Sequence, residues 1–191
     1  MFRRDQILLE QAYESIASHW GSSKQPYWRP GSNPTVDLVL INKNKILLIK
    51  RGANASTEPN KWAIPGGFID TTSKKGEPFR LDIEQPKEAA IREVSEETRL
   101  NLSHLKNLEN RMVTVGVYEG DKRDPRDNEE AWSKSYVFAL SLTEEDNVDP
   151  NEAEGSDDAS DAKWFDLNKL PRPLAFDHEK IINDALTKLS L

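Results

Sequence analysis

Residues 36–41 and 46–50 are almost unbroken runs of aliphatic side chains on either side of Asn42-Lys43-Asn44-Lys45. A strand with one wet face alternates apolar and polar residues, so two adjacent runs without alternation predict a hairpin buried on both faces. That hairpin needs cover on each side. Further strands are predicted over 112–118, over 135–142 and around Lys163-Trp164-Phe165. An apolar segment, 62–70, is broken by Pro65-Gly66-Gly67, and helices are predicted from Gln85-Pro86 onward and from about His178 to Leu189. Strands and helices mixed in this order predict an α+β fold, an α/β/α sandwich with a mixed β-sheet between helices. Ahead of them, apolar residues at 8, 12, 16 and 20 with Leu9 and Tyr13 predict an amphipathic helix over 3–20. It ends at Gly21 and packs on its own domain, and 21–34 read as a loop.

The chain has 191 residues, enough for one domain and an extension but not for two catalytic domains. No apolar run approaches a membrane span and the N-terminus lacks a signal-peptide core, so the expected location is cytoplasmic. Cysteine is absent, which removes disulfides, thiolate nucleophiles and zinc-thiolate sites. The net charge of −7 is local: residues 144–161 hold nine acidic side chains and no basic ones, and the rest balances 24 acidic against 26 basic. Nothing resembles the basic footprint of a nucleic-acid binder. The acidic run itself reads mostly as a solvated, mobile loop.

The chemistry concentrates in Arg92-Glu93-Val94-Ser95-Glu96-Glu97-Thr98-Arg99-Leu100. Spacings of three and four on a helix place the carboxylates of Glu93, Glu96 and Glu97 on one flank, while Ala90, Ile91 and Val94 face the core. Like charges this close raise one another's pKa. Such a cluster is either a solvated surface or a site for hard cations that prefer oxygen ligands.

With Glu84 ahead and seven residues between it and Arg92-Glu93, the segment resembles the Nudix box, G-x5-E-x7-R-E-U-x-E-E-x-G-U with U aliphatic. Trp62-Ala63-Ile64-Pro65-Gly66-Gly67-Phe68 resembles the strand and turn that lead into it. Two departures stand out. Sixteen residues separate Gly67 from Glu84 where the box has five, an insertion of 11, and the last box glycine is Arg99. Gly76-Glu77 also resembles the Gly-Glu pair, but only Glu84 keeps the spacing to Arg92. An Arg at position 99 resembles the Nudix domain of bifunctional nicotinamide-mononucleotide adenylyltransferases. The resemblance divides the chain into an N-terminal extension, 1–34, and a Nudix domain, 35–191.

The resemblance implies a diphosphate hydrolase using Mg2+ or Mn2+. Glu93, Glu96, Glu97 and the backbone carbonyl of Gly66 would be metal ligands, with Arg92 orienting the carboxylates through Glu84. Glu93 is the preferred general base; Glu152, Glu154, Asp157 and Asp158 are the alternatives. Arg123-Asp124-Pro125-Arg126, Gly155-Ser156-Asp157-Asp158-Ala159 and Leu174-Ala175-Phe176-Asp177-His178 resemble segments of ADP-ribose pyrophosphatases. They point to hydrolysis of ADP-ribose to AMP and ribose 5-phosphate, with Arg51, Phe68, Arg126, Asp157 and Asp158 as substrate-binding residues. Phe68 and Trp132 are candidates to stack on adenine, and Arg123 to reach phosphate or ribose. Lys74, Lys75 and Arg80 could make the insertion a basic lid over the phosphates. For His178 a capping or packing role is expected. The partner is a small nucleotide, with no nucleic acid and no membrane, and a homodimer is expected by analogy with relatives. The competing readings are a Nudix hydrolase of a dinucleoside polyphosphate, NADH or an oxidised nucleotide, and a sensor that binds ADP-ribose without cleaving it. Intact box carboxylates and a chain that ends after its last helix, leaving no room for a DNA-binding module, favour the enzyme.

Overall fold

Lys43, at φ 55°, turns the chain between β1 (Gly31–Asn42) and β2 (Lys45–Arg51). This hairpin is seen in a computed structural model that describes residues 17–120 and 122–191. Only Ile41 opposite Ile46 and Asn42 opposite Lys45 close it. Beyond those pairs the strands part. β2 pairs antiparallel with β3 (Trp62–Ala63), and β1 pairs antiparallel with β4 (Gly66–Phe68). The Pro-Gly-Gly turn therefore bridges the two arms of a fork, and the fork opens where the site lies.

β1 also runs parallel to β6 (Ala131–Leu142) along its whole length, from Gly31 opposite Ala131 to Asn42 opposite Leu142. β5 (Val113–Glu119) adds antiparallel to β6, and β7 (Ala159–Asp166) adds antiparallel to β2. Among the described residues this mixed sheet is accompanied by α1 (Pro86–Thr98), the short α2 (Leu108–Arg111) and α3 (His178–Leu189), and residues 17–19 are helical as well.

The unbroken aliphatic runs are buried on both faces, as expected. Val36, Leu38, Leu40 and Leu47 face Ala89, Ala90 and Val94 of α1. Val39, Ile41, Ile46 and Leu48 face Ile181, Ile182 and Ala185 of α3. A fully buried Leu, Ile or Val side chain contributes about 1.5–3 kcal/mol, so one helix on each face is the stable answer to such strands.

Three segments differ from the sequence reading. Residues 31–34, read as loop, extend β1, because the parallel partner strand begins at Ala131 and supplies ladder partners for them. β7 is eight residues long rather than a stub around 163–165. The acidic run is largely exposed, as expected, but it is bonded to the rest of the fold. It contains 3-10 turns at Glu144–Asp146 and Pro150–Glu152, its buried Asp146 accepts both ends of the Arg111 guanidinium, and its tail joins β7. The helix expected over 3–20 lies, up to residue 16, outside the described residues; Trp20 at its end is buried with Tyr27 and Ala131.

Candidate active site

α1 begins where the sequence indicated. Pro86 occupies the first turn, where its missing N–H costs nothing, and the Gln85 amide donates to the Glu88 carboxylate at 2.8 Å. The helix ends at Arg99, which adopts the left-handed conformation, φ 59°, that the box assigns to glycine. Its guanidinium pairs at the surface with Glu154, 2.9 Å away.

Arg92 is the hub of the helix's acidic flank. Its Nε and Nη2 grip both oxygens of Glu84 at 2.8 and 3.0 Å. Nη1 donates to Glu93 at 2.9 Å and to Glu96 at 2.8 Å, and Nη2 also reaches the Phe68 carbonyl at 3.0 Å. A planar fork serves this purpose where a lysine could not. Despite the desolvation that pushes it up, the Glu84 carboxyl is held below its ordinary range by Arg92 and the Asp70 amide. The 11-residue insertion thus leaves Glu84 in the box position, with the turn and the helix clamped to one side chain.

Glu93 and Glu97 are 9% and 3% exposed. The Glu97 carboxylate accepts the Gly66 N–H at 2.9 Å. A Cβ on Gly67 would overlap the Glu93 carboxylate, and one on Gly66 would overlap the Val36 carbonyl. Glycine is required at both positions by this close approach. Burial pushes the Glu93 carboxyl up to about 7; Glu96 and Asp158 add to the shift, and Arg92 opposes it. Burial raises Glu97 well above its ordinary value, helped by Glu93 and Asp158, with the Gly66 amide and Arg51 opposing.

The cleft in front of these groups is lined by Gly66, Gly67 and Phe68, by Arg51 and Asp158, and by Arg123 and Arg126. Backbone bonds from Glu154 to the Thr98 carbonyl, Ser156 to the Glu97 carbonyl and Gly52 to the Asp158 carbonyl stitch the 153–158 loop over the end of α1. Asp158 is thereby brought to the cleft, whereas Asp157 lines a neighbouring depression with residues 52–56. Of the four alternative bases only Asp158 is in place: Glu152 and Asp157 are exposed away from the cleft, and Glu154 is engaged by Arg99. Arg51 donates to the Thr57 carbonyl at 3.0 Å and lies over the Phe176 ring. Arg126 sits between the Tyr27 and Phe68 rings, 5.4 and 5.8 Å from their centroids, and is held by Asp124. Phe68 remains 42% exposed, a free aromatic face at the cleft.

Trp132 is not part of this wall; its indole N–H is directed at Glu119 on β5. In the insertion, read from the sequence as a candidate basic lid over the phosphates, two of the three cations are engaged by neighbouring side chains. Lys75 lies over Trp28, Arg80 pairs with Glu77 and Asp82, and the Lys74 backbone N–H donates to Glu77. The segment docks on 20–29 through Gly76 N–H to the Trp28 carbonyl and Arg29 to the Ser73 carbonyl. Residues to which the sequence alone assigned no individual role at the site are Tyr27, Asp37 and Phe176. Asp37 carried a signal: it is the lone charge in the aliphatic run 36–41, and a buried carboxylate needs partners.

Among the described residues no three acidic or histidine side chains already converge on one cation position. Arg92 holds Glu93 and Glu96, and Gly66 holds Glu97. The donor set still fits a hard divalent cation: two buried carboxylates of raised pKa, a third beside them, and one shared arginine as the near countercharge.

The NUDIX domain profile matches residues 31–185. The chain is 41% identical over 151 residues to an ADP-ribose pyrophosphatase from Methanocaldococcus jannaschii, covering 78% of this chain and 70% of that one. Among solved structures, the Nudix domain of Shewanella oneidensis NrtR complexed with ADP ribose superposes with a TM-score of 0.58 at 25% identity, over 83% of this chain and 89% of that one. A bifunctional NMN adenylyltransferase/ADP-ribose pyrophosphatase from Francisella tularensis, complexed with AMP and a manganese ion, gives a TM-score of 0.63 at 25% identity. It covers 96% of this chain, which spans 48% of that enzyme. With the box clamped as its spacing predicted and the profile spanning most of its length, this chain belongs to the Nudix family.

Proposed function

We propose that the chain hydrolyses the diphosphate of ADP-ribose, adding water to give AMP and ribose 5-phosphate, with Mg2+ or Mn2+ bound at the box. The observation that carries the reading is the burial of Glu93 and Glu97 against Gly66-Gly67 without cations enough to neutralise them. Glu93, Glu96, Glu97 and the Gly66 carbonyl would hold the metal, and Arg92 would keep its grip on Glu84. The bound ion supplies charge neutralisation for the diphosphate and a lowered pKa for the attacking water.

The protein's own groups do the rest. Arg51 and Arg126 line the cleft as cations for phosphate oxygens, and each is held in place, by Thr57 with Phe176 and by Asp124. Phe68 offers its exposed ring as a stacking surface for the base. Glu93 is assigned to accept the proton of the attacking water. Its carboxylate lies against Gly67, which lines the cleft, whereas Glu152 is exposed outside the cleft lining and Glu154 is paired with Arg99. Asp158, which lines the cleft and pairs with no side-chain cation among the described residues, is assigned to a substrate hydroxyl, whereas Asp37 and Asp124 at the same cleft are engaged by Ser135 and Arg126.

The test is a panel of ADP-ribose, a dinucleoside polyphosphate, NADH and an oxidised nucleoside triphosphate, each incubated with Mg2+ and resolved chromatographically. ADP-ribose is expected to turn over fastest, yielding AMP and ribose 5-phosphate. Faster cleavage of any other member would move the substrate assignment, and binding of ADP-ribose without products would make the chain a sensor.

A further inference from the structure

We propose that His178 is a positioning residue for the Gly66-Gly67 turn, and that Asp37 and Arg123 hold it to that task from behind. The inference rests on the box being a metal-dependent site.

Besides the β1–β4 ladder and the Arg92 bond to Phe68, three hydrogen bonds hold residues 64–66. The Pro65 carbonyl accepts the Leu38 N–H at 3.0 Å, the Gly66 N–H donates to Glu97 at 2.9 Å, and the Ile64 N–H donates to His178 Nδ1 at 2.9 Å. The first attaches the turn to β1 and the second to α1. The third reaches it from the first residue of α3, on the opposite side of the sheet from the box helix. Ile64 and His178 are 2% and 3% exposed, so this amide is satisfied by the ring rather than by solvent.

Accepting at Nδ1 fixes the tautomer: the ring proton lies on Nε2, which faces Asp37 Oδ1 at 3.5 Å. Asp37 stands opposite Gly66 in the β1–β4 ladder and accepts the Ser135 hydroxyl with its other oxygen. Arg123 closes the chain. It is bidentate to Asp177, the residue before His178, at 2.8 and 3.1 Å, and its Nη2 lies 3.9 Å from Asp37. Burial pushes the imidazole below its ordinary pKa, as do Arg123 and Arg51, against Asp37 and Asp177, so the ring is a neutral acceptor.

Two of the sequence segments thereby gain a role the reaction scheme does not use. Arg123 binds Asp177 and His178 binds the turn, although Arg123 and His178 also line the cleft. A partner that orients a ligand-bearing group typically changes metal affinity about 10–100-fold when removed. The turn carries both the Gly66 carbonyl and the amide that aims Glu97, so loss of its third anchor is expected at the low end, about tenfold.

The experiment compares His178→Ala with His178→Asn, whose amide oxygen can take the place of Nδ1. Mn2+ alone is titrated into each folded protein by electron paramagnetic resonance, and amide exchange is followed at Gly66, with Ala139 in the sheet centre as the reporter of global opening. His178→Ala is expected to weaken Mn2+ binding about tenfold and to speed exchange at Gly66 relative to Ala139. It should lower kcat at saturating substrate with little change in KM, and His178→Asn should restore most of each. Unchanged Gly66 exchange in the alanine variant, or equal behaviour of the two variants, overturns the positioning role. A wild-type chain that fails to bind Mn2+ overturns the metal reading instead, and the exchange comparison still decides this one.

Discussion

The box flank of α1 and the acidic run after β6 are both rich in carboxylates, and the fold treats them oppositely. Asp146 is buried beside a guanidinium of its own: Arg111 binds both of its oxygens, the Thr143 amide and hydroxyl add two more bonds, and its carboxyl is held far below the ordinary range. Glu93 and Glu97 are similarly buried, but Glu93 shares Arg92 with Glu84 and Glu96, Glu97 is held by the Gly66 amide with no guanidinium among the described residues bonded to it, and both carboxyls are pushed up. A satisfied acid is structure. An acid left short of positive charge, and aimed at a glycine turn beside a cleft, is where a cation has something to gain.

The largest test of that contrast removes one charge from the box. Glu97→Gln keeps an oxygen for the Gly66 amide, so it is expected to fold, to lose at least about a hundredfold in kcat, and to be more stable than wild type without metal by about 1–3 kcal/mol. Stopped assays and calorimetry read both effects; a destabilised variant with near-normal turnover would erase the distinction between the two acids. Glu93→Gln is expected to show the same pair of effects.

Next in size is the pH dependence of metal-free stability. The Glu93 value rises from an ordinary 4.5 in the unfolded chain to about 7 in the fold, so the unfolded state loses its proton first. Its contribution therefore turns against folding as pH climbs from about 4.5 to about 7, by about 3 kcal/mol at most, and is constant above. Asp146 has the opposite sign: its support is present above the ordinary value near 3.8 and fades as pH falls toward the lower folded value. Added Mg2+ is expected to raise Tm more at pH 8 than at pH 5, and chelation with EDTA to reverse it; an equal shift at both pH values would sink the charge-deficit account.

Asp146→Asn is expected to cost about 1–3 kcal/mol while kcat stays within twofold, because it removes a buried charge from its two-point pairing with the half-buried Arg111, outside the cleft lining. Thermal melts paired with assays check it, and a matching loss of activity would join the two regions that the comparison separates. The smallest effect belongs to Arg99→Gly. Releasing the left-handed strain at φ 59° is expected to add about 1 kcal/mol, against a surface pair with Glu154 worth about half of that or less. A lower Tm would show that the ion pair, not the backbone, rules the end of α1.

Much of this site was legible before any coordinates. The 3.6-residue period put Glu93, Glu96 and Glu97 on one flank, and the spacing from Glu84 to Arg92 predicted the clamp that Arg92 makes. Arg51, Phe68, Arg126 and Asp158 meet at the cleft as expected, and Asp157 does not. Adjacent residues in an ordered loop point different ways, and only the bonds from Gly52, Glu154 and Ser156 decide which one turns inward. The early start of β1 was hidden because polar Gly31–Pro34 are strand only by virtue of a partner one hundred residues away. The insertion's cations were visible, but their acidic and aromatic partners were not distinguishable from solvent.

Local pattern thus determined the hairpin, the helix that bears the acids, and the chemistry those acids can support, since periodicity and spacing act within a few turns of chain. Tertiary structure decided how deeply Glu93 and Glu97 are desolvated, that His178 and Asp37 lie behind the turn, and that the acidic run is tied down rather than loose. Burial and charge balance are sums over groups distant in sequence, and no window along the chain contains them.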